Sequence, residues 1–145
     1  MRVYVDTSVY NRPFDDQTQP RIWLETLALV VILQLIDAGE VDLVSSAVVA
    51  YENSRNPFPL RQRWVTRCVQ LARHDQPVDA GISERAATLE QAGVGAIDAL
   101  HPACAEAAAS EYFLTCDDRV IRRYQGSLRV LNPVEFVLAT TGGQP

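Results

Sequence analysis

The stretch Arg2-Val3-Tyr4-Val5-Asp6-Thr7-Ser8 is a short apolar run that ends in an acid. Valine and tyrosine favour strands, so Arg2 to Asp6 is predicted to be a buried strand with a carboxylate at its carboxyl end. A carboxylate held in apolar surroundings without a partner is costly. The position of Asp6 therefore indicates that something positive lies beside it.

Strand and helix patterns alternate along the rest of the chain. A loop over Asn11 to Gln19 precedes a helix from Pro20 to about Ala38, and Val41 to Val44 is a second strand. Further strands are predicted over Tyr112 to Thr115 and Leu128 to Leu131, with a turn or very short strand over 76–81. The later helices are one capped by Ser45 or Ser46, one spanning about Leu60–Ala72, and four over Ile82–Ala92, Ala96–Ser110, Asp118–Tyr124 and Pro133–Ala139.

This alternation predicts an α/β fold, a three-layer α/β/α sandwich around a central, mainly parallel sheet. At 145 residues the chain is long enough to bury one core, and no linker divides it. A single domain is predicted over residues 1–139, with residues 140–145 forming a flexible C-terminal tail.

Charge and composition exclude several kinds of chemistry. The net charge is −5, so any binding of nucleic acid requires a local basic patch. All 13 basic residues are arginines, and the absence of lysine excludes a Schiff base, a P-loop lysine and a lysine general base.

Cysteine usage and hydropathy indicate where the protein works. Cys68, Cys104 and Cys116 are widely spaced and form no CxxC pair, which predicts a reducing, cytoplasmic location without a zinc site or disulfides. The apolar stretch Ile22 to Ile36 falls below the roughly 20 residues that a membrane span needs. We expect it to be a buried helix or a homodimer interface, with no membrane association.

Four acids follow or adjoin apolar segments: Asp6, Glu52, Asp98 and Asp117. In an open parallel sheet, ligands bind beyond the carboxyl ends of the strands, so these acids are predicted to face one cleft. Carboxylates that converge suit Mg²⁺ or Mn²⁺, which can activate a water for hydrolysis of a phosphodiester.

Nearby hydroxyls fit the same interpretation. Thr7, Ser8 and Thr115 could fix the orientation of the carboxylates. For each acid alone a simpler interpretation stays open: Asp6, Asp98 or Asp117 as a cap, and Glu52 as a solvated helix residue.

At these residues the sequence resembles the PIN-domain family of metal-dependent ribonucleases. The resemblance rests on Val5-Asp6-Thr7-Ser8, on Glu52, on Ile97-Asp98-Ala99-Leu100-His101, and on Phe113-Leu114-Thr115-Cys116-Asp117-Asp118. It implies that Asp6, Glu52, Asp98 and Asp117 are the catalytic, metal-binding acids, with support from Thr7, Ser8, Thr115 and the extra acid Asp118. Pro102 departs from the family pattern, because a proline inside a helix removes a hydrogen bond.

Short single-domain members of this family are similar to VapC-like toxins of type II toxin–antitoxin pairs. The resemblance therefore implies an endoribonuclease that uses Mg²⁺ or Mn²⁺, leaves a 5′-phosphate and is blocked by an antitoxin protein. His101 is expected to be a packing residue, and Cys116 has no base beside it that would make it a nucleophile.

Two arginine clusters flank the predicted acidic cleft. Arg55, Arg61 and Arg63 follow Glu52, and Arg119 and Arg122 follow Asp117. They are predicted to bind the RNA backbone, although they could equally solvate helix faces or pair with antitoxin acids. Trp64 lies on an apolar stripe and is expected in the core.

Two other classes of function can be weighed against the nuclease. A catalytically silent PIN-like module would bind RNA or protein and would have no need of the acids. Phosphoryl transfer through an aspartyl-phosphate also begins with an acid after a strand. Receiver domains depend on a lysine, which is absent, and the dehalogenase-type phosphatases need an acid where Ser8 stands.

Overall fold

The central element is a five-stranded sheet with strand order β3-β2-β1-β4-β5, in which every neighbouring pair is parallel. It is seen in a computed structural model that describes residues 1–142. The strands are β1 (Arg2–Val5), β2 (Asp42–Ser46), β3 (His74–Gln76), β4 (Tyr112–Leu114) and β5 (Arg129–Leu131). The predicted α/β fold with a parallel sheet is confirmed.

Helices connect the strands and cover the sheet. They are α1 (Thr7–Asn11), α2 (Pro20–Asp37), α3 (Ala47–Ser54), α4 (Pro59–Val69), α5 (Ala80–Gln91), α6 (Ala96–Ala107), α7 (Asp118–Arg123) and α8 (Pro133–Thr141), and a 3₁₀ turn over Arg12–Phe14 follows α1. Helix α5 packs on α6, and α2 packs on α8. Consecutive residues of β1 and of β4 are buried, and since side chains alternate between faces, both faces of the sheet are covered.

Three local features differ from the sequence prediction. Helix α1 fills the segment between the predicted strand and the predicted loop, where no element was predicted, because the Asp6 side chain caps the chain as soon as the strand ends. Strand β3 overlaps the segment predicted for it only at Gln76 and begins two residues earlier, at His74. Helix α8 continues past Ala139, and the hydroxyls of Thr140 and Thr141 donate to carbonyls one turn back at 2.8 and 2.5 Å. The rest of the predicted tail, residues 143–145, lies outside the described residues.

Helix α2 is helical as predicted and carries apolar residues on more than one face. Ala28, Leu29 and Ile32 are buried, whereas Trp23 and Val30 are about half exposed. Within residues 1–142, no helix has both the length and the hydropathy required to cross a bilayer.

A fully buried acid, Glu25, ties α2 to the rest of the chain. Its carboxylate accepts from Arg12 Nε at 2.9 Å, from Arg21 Nε at 3.3 Å and from Asn132 Nδ2 at 2.5 Å. Asn132 also caps α8 through a bond from the Val134 N–H. The contacts satisfy a carboxylate that would otherwise be costly to bury, and they join three segments distant in sequence.

Removal of this carboxylate is expected to destabilise the protein strongly. Glu25→Ala leaves two guanidinium groups and one amide without their partner, so the free energy of unfolding should fall by about 3–5 kcal/mol. Urea denaturation measures this change. Glu135→Ala, at an exposed position of α8, is the control and should alter it by less than about 0.5 kcal/mol. Equal effects of the two substitutions would contradict the role given to Glu25.

Candidate functional site

The register of the sheet places β1 and β4 level at their carboxyl ends. Val5 pairs with Leu114, and the Asp6 N–H donates to the Leu114 carbonyl at 3.1 Å. Asp6 follows β1 directly, and Asp117 follows β4 by three residues. Two of the four predicted acids therefore lie at one edge of the sheet.

Both of these acids also cap a helix. Asp6 Oδ1 accepts from the Ser8 N–H at 2.5 Å and begins α1, and Asp117 Oδ1 accepts from the Arg119 N–H at 2.9 Å and begins α7. Each cap uses one carboxylate oxygen, so capping and metal binding are compatible at these positions. The simpler interpretation is confirmed without excluding the functional one.

Asp98 does not cap a helix. It is the third residue of α6, whose N-cap is Gly95, so its alternative interpretation as an N-cap is wrong. Burial raises the pKa of the Asp98 carboxyl, and the negative charges of Asp117, Asp6 and Glu52 raise it further. The four predicted acids thus lie close enough together for three of them to disfavour ionisation of the fourth.

Glu52 on α3 is oriented by a series of hydrogen-bonded side chains that leads into the protein interior. Its Oε1 atom bonds to His101 Nε2, and the other ring nitrogen of His101 lies 2.7 Å from the Tyr4 hydroxyl. That hydroxyl lies 2.6 Å from Ser46 Oγ, which also caps α3. His101 was expected to be a packing residue, and Tyr4 was assigned no role. The contact of His101 with Glu52, and that of Tyr4 with His101, could be found only from the structure.

Burial and hydrogen bonding shift the pKa values of His101 and Glu52 in opposite directions. Burial disfavours protonation of His101, but the Glu52 hydrogen bond and the charge of Asp6 outweigh it and raise the pKa of His101. Burial likewise disfavours ionisation of Glu52, yet the hydrogen bond from His101 lowers the pKa of Glu52 below its ordinary value. The pair favours an imidazolium beside an ionised carboxylate.

The three predicted hydroxyls all contact segments that carry the acids. Thr7 Oγ1 donates to Glu52 Oε1 at 2.9 Å. Ser8 Oγ accepts from the Cys116 N–H at 3.0 Å, and Thr115 Oγ1 accepts from the Asp117 N–H at 3.1 Å. These three hydroxyls hold Glu52 and the backbone around Asp117 in place.

Asp118, predicted as an extra ligand, has a different partner. Arg21 binds it through two bonds of 2.7 and 2.8 Å and also donates to the Cys116 carbonyl at 3.3 Å. The Arg21 hydrogen bond lowers the pKa of Asp118. With both oxygens bound to a guanidinium, the Asp118 side chain fixes the start of α7 instead of joining the acids.

The donor set fits a hard divalent cation in charge and chemistry. Within the described residues no arginine pairs with any of the four acids, and His101 is the one cationic partner. Among residues 1–142, however, no three Asp, Glu, His or Cys side chains are already close enough to share an ion. Mg²⁺ commonly takes one or two protein carboxylates and keeps several waters, so a preformed cage is not required.

Pro102 is buried within α6, and the helix continues past it to Ala107. Proline has no N–H, so the carbonyl of Asp98, four residues earlier, loses its intrahelical donor. The helix accommodates the proline, and the missing hydrogen bond affects the backbone carbonyl of Asp98, a predicted metal ligand.

The predicted arginines are distributed over the surface beyond the acids. The Arg55 guanidinium lies over the ring of Tyr51 at 5.6 Å, and Arg61 lies over Phe58 at 4.7 Å. Arg63, Arg119 and Arg122 are exposed. Trp64 packs against the core as expected, and its Nε1–H donates to the Tyr10 carbonyl at 2.8 Å.

Nucleophilic catalysis by cysteine is not supported by the described residues. All three cysteines are free and buried. Burial raises the pKa of the Cys68 and Cys104 thiols to about 11, and it raises that of Cys116 further. A thiol in this state holds little of the thiolate that reacts.

Comparison with known proteins identifies the family. A model of the PIN domain matches residues 3–126, a segment that includes all four acids. A chain from the crystal structure of VapBC2 from Rickettsia felis, bound to a DNA fragment from their promoter, is similar in fold with a TM-score of 0.57. The two chains are 17% identical, and the match covers 91% of this chain and 98% of that one. No curated protein matches. Because the family model spans most of the sequence, the chain belongs to the PIN domain family.

Proposed function

We propose that the protein is a metal-dependent endoribonuclease that hydrolyses RNA phosphodiester bonds, and that it is the toxin of a toxin–antitoxin pair. The observation that carries the proposal is the group of like charges at the sheet edge, where neighbouring acids raise the pKa of Asp98 without an arginine to compensate them. Membership of the PIN family supports nuclease chemistry at this group.

Asp6, Glu52, Asp98 and Asp117 are the residues that would hold Mg²⁺ or Mn²⁺. When bound, such an ion supplies a Lewis acid for water and offsets the charge of the phosphodiester. His101 and Thr7 hold Glu52 in one orientation, and Ser8 and Thr115 hold the backbone beside Asp117. The four acids are catalytic residues in this proposal, and the groups that hold them are positioning residues.

Substrate and partner follow from charge and from the structural comparison. The exposed arginines Arg55, Arg63, Arg119 and Arg122, together with Arg61, are proposed to contact the RNA backbone, since the net charge gives no general attraction. The similar VapBC2 structure is described as a complex with promoter DNA, which supports an antitoxin partner here. A homodimer, a cytoplasmic location and a single domain over residues 1–139 complete the proposal.

A catalytically silent PIN-like module is the second candidate. It is favoured by one observation, the lack among residues 1–142 of three ligating side chains within reach of a common ion. Such a module would bind RNA or protein without metal affinity. Titration with Mn²⁺, followed by calorimetry, separates the two candidates.

Cleavage of RNA is expected to depend on Asp98 and on metal. With Mg²⁺ or Mn²⁺ the wild type should cut single-stranded RNA, EDTA should stop the reaction, and Asp98→Asn should lower the rate at least 100-fold because a ligand charge is lost. Gel analysis of end-labelled RNA measures the rate. Asp37→Asn, at an exposed position at the end of α2, is the matched control and should leave the rate unchanged. Undiminished cleavage by Asp98→Asn would exclude Asp98 from the site.

Without metal, the same substitution is expected to stabilise the fold. Folding raises the pKa of the Asp98 carboxyl above its value in the unfolded chain. The free energy of unfolding therefore falls as the pH rises from the unfolded pKa through the folded pKa, and it stays lower at higher pH. At pH 7 in EDTA, Asp98→Asn should therefore melt on the order of a few degrees above wild type, and the difference should vanish below about pH 4.

Added Mg²⁺ should reverse that order of stability. The ion binds the folded wild type and raises its melting temperature, whereas Asp98→Asn should respond weakly. Differential scanning calorimetry measures both effects. A lower melting temperature for Asp98→Asn in EDTA would show that repulsion does not dominate at this group.

Toxin action is expected to be relieved by a protein partner. Expression of the chain in a bacterial host should arrest growth, and co-expression of a short reading frame adjacent to its gene should restore it. The Asp98→Asn variant should be harmless yet still co-purify with that product. Arrest by Asp98→Asn equal to that by wild type would separate toxicity from the acids.

A further inference from the structure

Three polar side chains behind Glu52 are buried almost completely. Tyr4 and Ser46 are 0% exposed and His101 is 3% exposed, and they come from β1, from the end of β2 and from α6. The hydroxyl of Tyr4 lies between the other two, 2.6 Å from Ser46 Oγ and 2.7 Å from His101 Nδ1. Among the described residues this hydroxyl bonds to none of the four acids, so the proposed chemistry gives it no direct part.

The ring of His101 is held at both of its nitrogens. Nδ1 bonds to the Tyr4 hydroxyl, and Nε2 bonds to Glu52 Oε1. The two aromatic rings also meet edge to face, with 5.8 Å between the centroids of Tyr4 and His101. A ring bonded at one nitrogen alone keeps rotational freedom about its Cβ–Cγ bond, whereas bonds at two ring positions define one orientation. The Tyr4 hydroxyl therefore helps to decide where Nε2 points.

Both hydrogen bonds to Glu52 reach the same carboxylate oxygen. Thr7 Oγ1 donates to Oε1 at 2.9 Å, and His101 Nε2 bonds to Oε1 as well. Within residues 1–142 no hydrogen bond reaches Oε2 of Glu52. One oxygen is thus left for a cation, in an orientation set by the bonds to the other oxygen.

The same three side chains connect the elements that carry the acids. Tyr4 lies on β1 two residues before Asp6, and His101 lies on α6 three residues after Asp98. Ser46 caps α3, and its Oγ accepts from two N–H groups of the first turn at 3.2 and 3.3 Å. The Tyr4 hydroxyl therefore joins the start of α3 to the middle of α6, and it helps to fix the relative placement of the acids on these helices.

We propose that Tyr4 is a positioning residue for the divalent ion, whose hydroxyl acts through His101 to fix Glu52 and so increases the affinity of the four acids for Mg²⁺ or Mn²⁺. The Tyr4 ring stacks on Phe113, with 5.3 Å between the centroids, and a phenylalanine ring at this position would fill the same space. The hydroxyl is then the part of the side chain that serves the site. The inference rests on the proposed function and adds to it a residue that contacts no acid.

Tyr4→Phe removes the hydroxyl and keeps the ring. Calorimetric titration of the metal-free protein with Mn²⁺ should show affinity weakened roughly 3- to 10-fold, the effect of one lost hydrogen bond. Tyr112→Phe is the matched control, because the Tyr112 hydroxyl accepts from Arg129 Nη1 at 3.0 Å at the start of β4, away from the acids. It should leave the affinity unchanged. Equal Mn²⁺ affinity of Tyr4→Phe and wild type overturns the inference.

A second substitution, His101→Gln, shows whether Tyr4 acts through His101. Glutamine can still donate to Glu52, but it has no second ring nitrogen to bond to Tyr4. In the His101→Gln background, Tyr4→Phe should therefore weaken Mn²⁺ affinity by less than about 2-fold. An equal loss in both backgrounds would show that the hydroxyl acts by another route, and would overturn the positioning role.

Nuclear magnetic resonance of the metal-free protein tests the positioning role without cleavage. Wild type should show a slowly exchanging His101 Nε2 proton that is bonded to Glu52. Tyr4→Phe should accelerate exchange of this proton roughly 3- to 10-fold, because the ring has lost one of its two bonds. Backbone amides of β1 and α6 should exchange as in wild type, whereas a general loss of stability would accelerate them too. Unchanged exchange of the ring proton would contradict the inference.

The outcomes separate this inference from the proposed function. Mn²⁺ binding that depends on Tyr4, without RNA cleavage, overturns the nuclease and leaves the positioning role. RNA cleavage that needs the same half-saturating Mn²⁺ concentration in wild type and Tyr4→Phe overturns the positioning role alone, and no Mn²⁺ binding by wild type overturns both.

Thermal melting verifies that each variant is folded. If Tyr4→Phe is not folded, Ser46→Gly serves as the second variant, since glycine is accepted at a helix N-cap and the Tyr4 hydroxyl loses its other partner. Mn²⁺ affinity should then fall roughly 2- to 5-fold, and unchanged affinity overturns the inference.

Discussion

Electrostatic repulsion among Asp6, Glu52, Asp98 and Asp117 at one edge of the parallel sheet is the interaction on which the rest of the site depends. The register of β1 and β4 places Asp6 and Asp117 at that edge, and α6 adds Asp98 close enough for its pKa to rise. Such a group is costly unless a cation or hydrogen-bond donors compensate it. His101 and the hydroxyl of Thr7 bond to Glu52, and the N–H groups of Ser8 and Arg119 each donate to one oxygen of Asp6 and Asp117. Because no arginine pairs with the four acids among the described residues, most of their negative charge is available to a divalent ion.

Arginines close to this edge are kept away from the acids by other pairings. Arg21 binds Asp118 with two bonds and reaches the buried Glu25, which also receives Arg12. This network anchors α2 and the start of α7 behind the site. A guanidinium that paired with the acids would neutralise them and compete with metal, so the placement of Glu25 and Asp118 preserves the charge on which the proposed chemistry depends.

The four acids reach the site from different kinds of element. Asp6 follows β1 directly, Asp117 follows β4 by three residues, and Asp98 lies in the first turn of α6. Glu52 lies in the second turn of α3, and its orientation depends on its hydrogen bonds with His101 and Thr7. The sheet therefore positions the backbone of Asp6 and Asp117, whereas the packing of helices on the sheet places Glu52 and Asp98.

The sequence by itself determined the alternating α/β fold, the positions of the acids along it and their shared edge. Apolar periodicity and strand ends are local properties that a single chain displays. Tertiary structure alone decided which partners those acids acquire: His101 for Glu52, 49 residues away, and Arg21 for Asp118, 97 residues away. Contacts of this range depend on how helices pack across the sheet, and no local pattern encodes them.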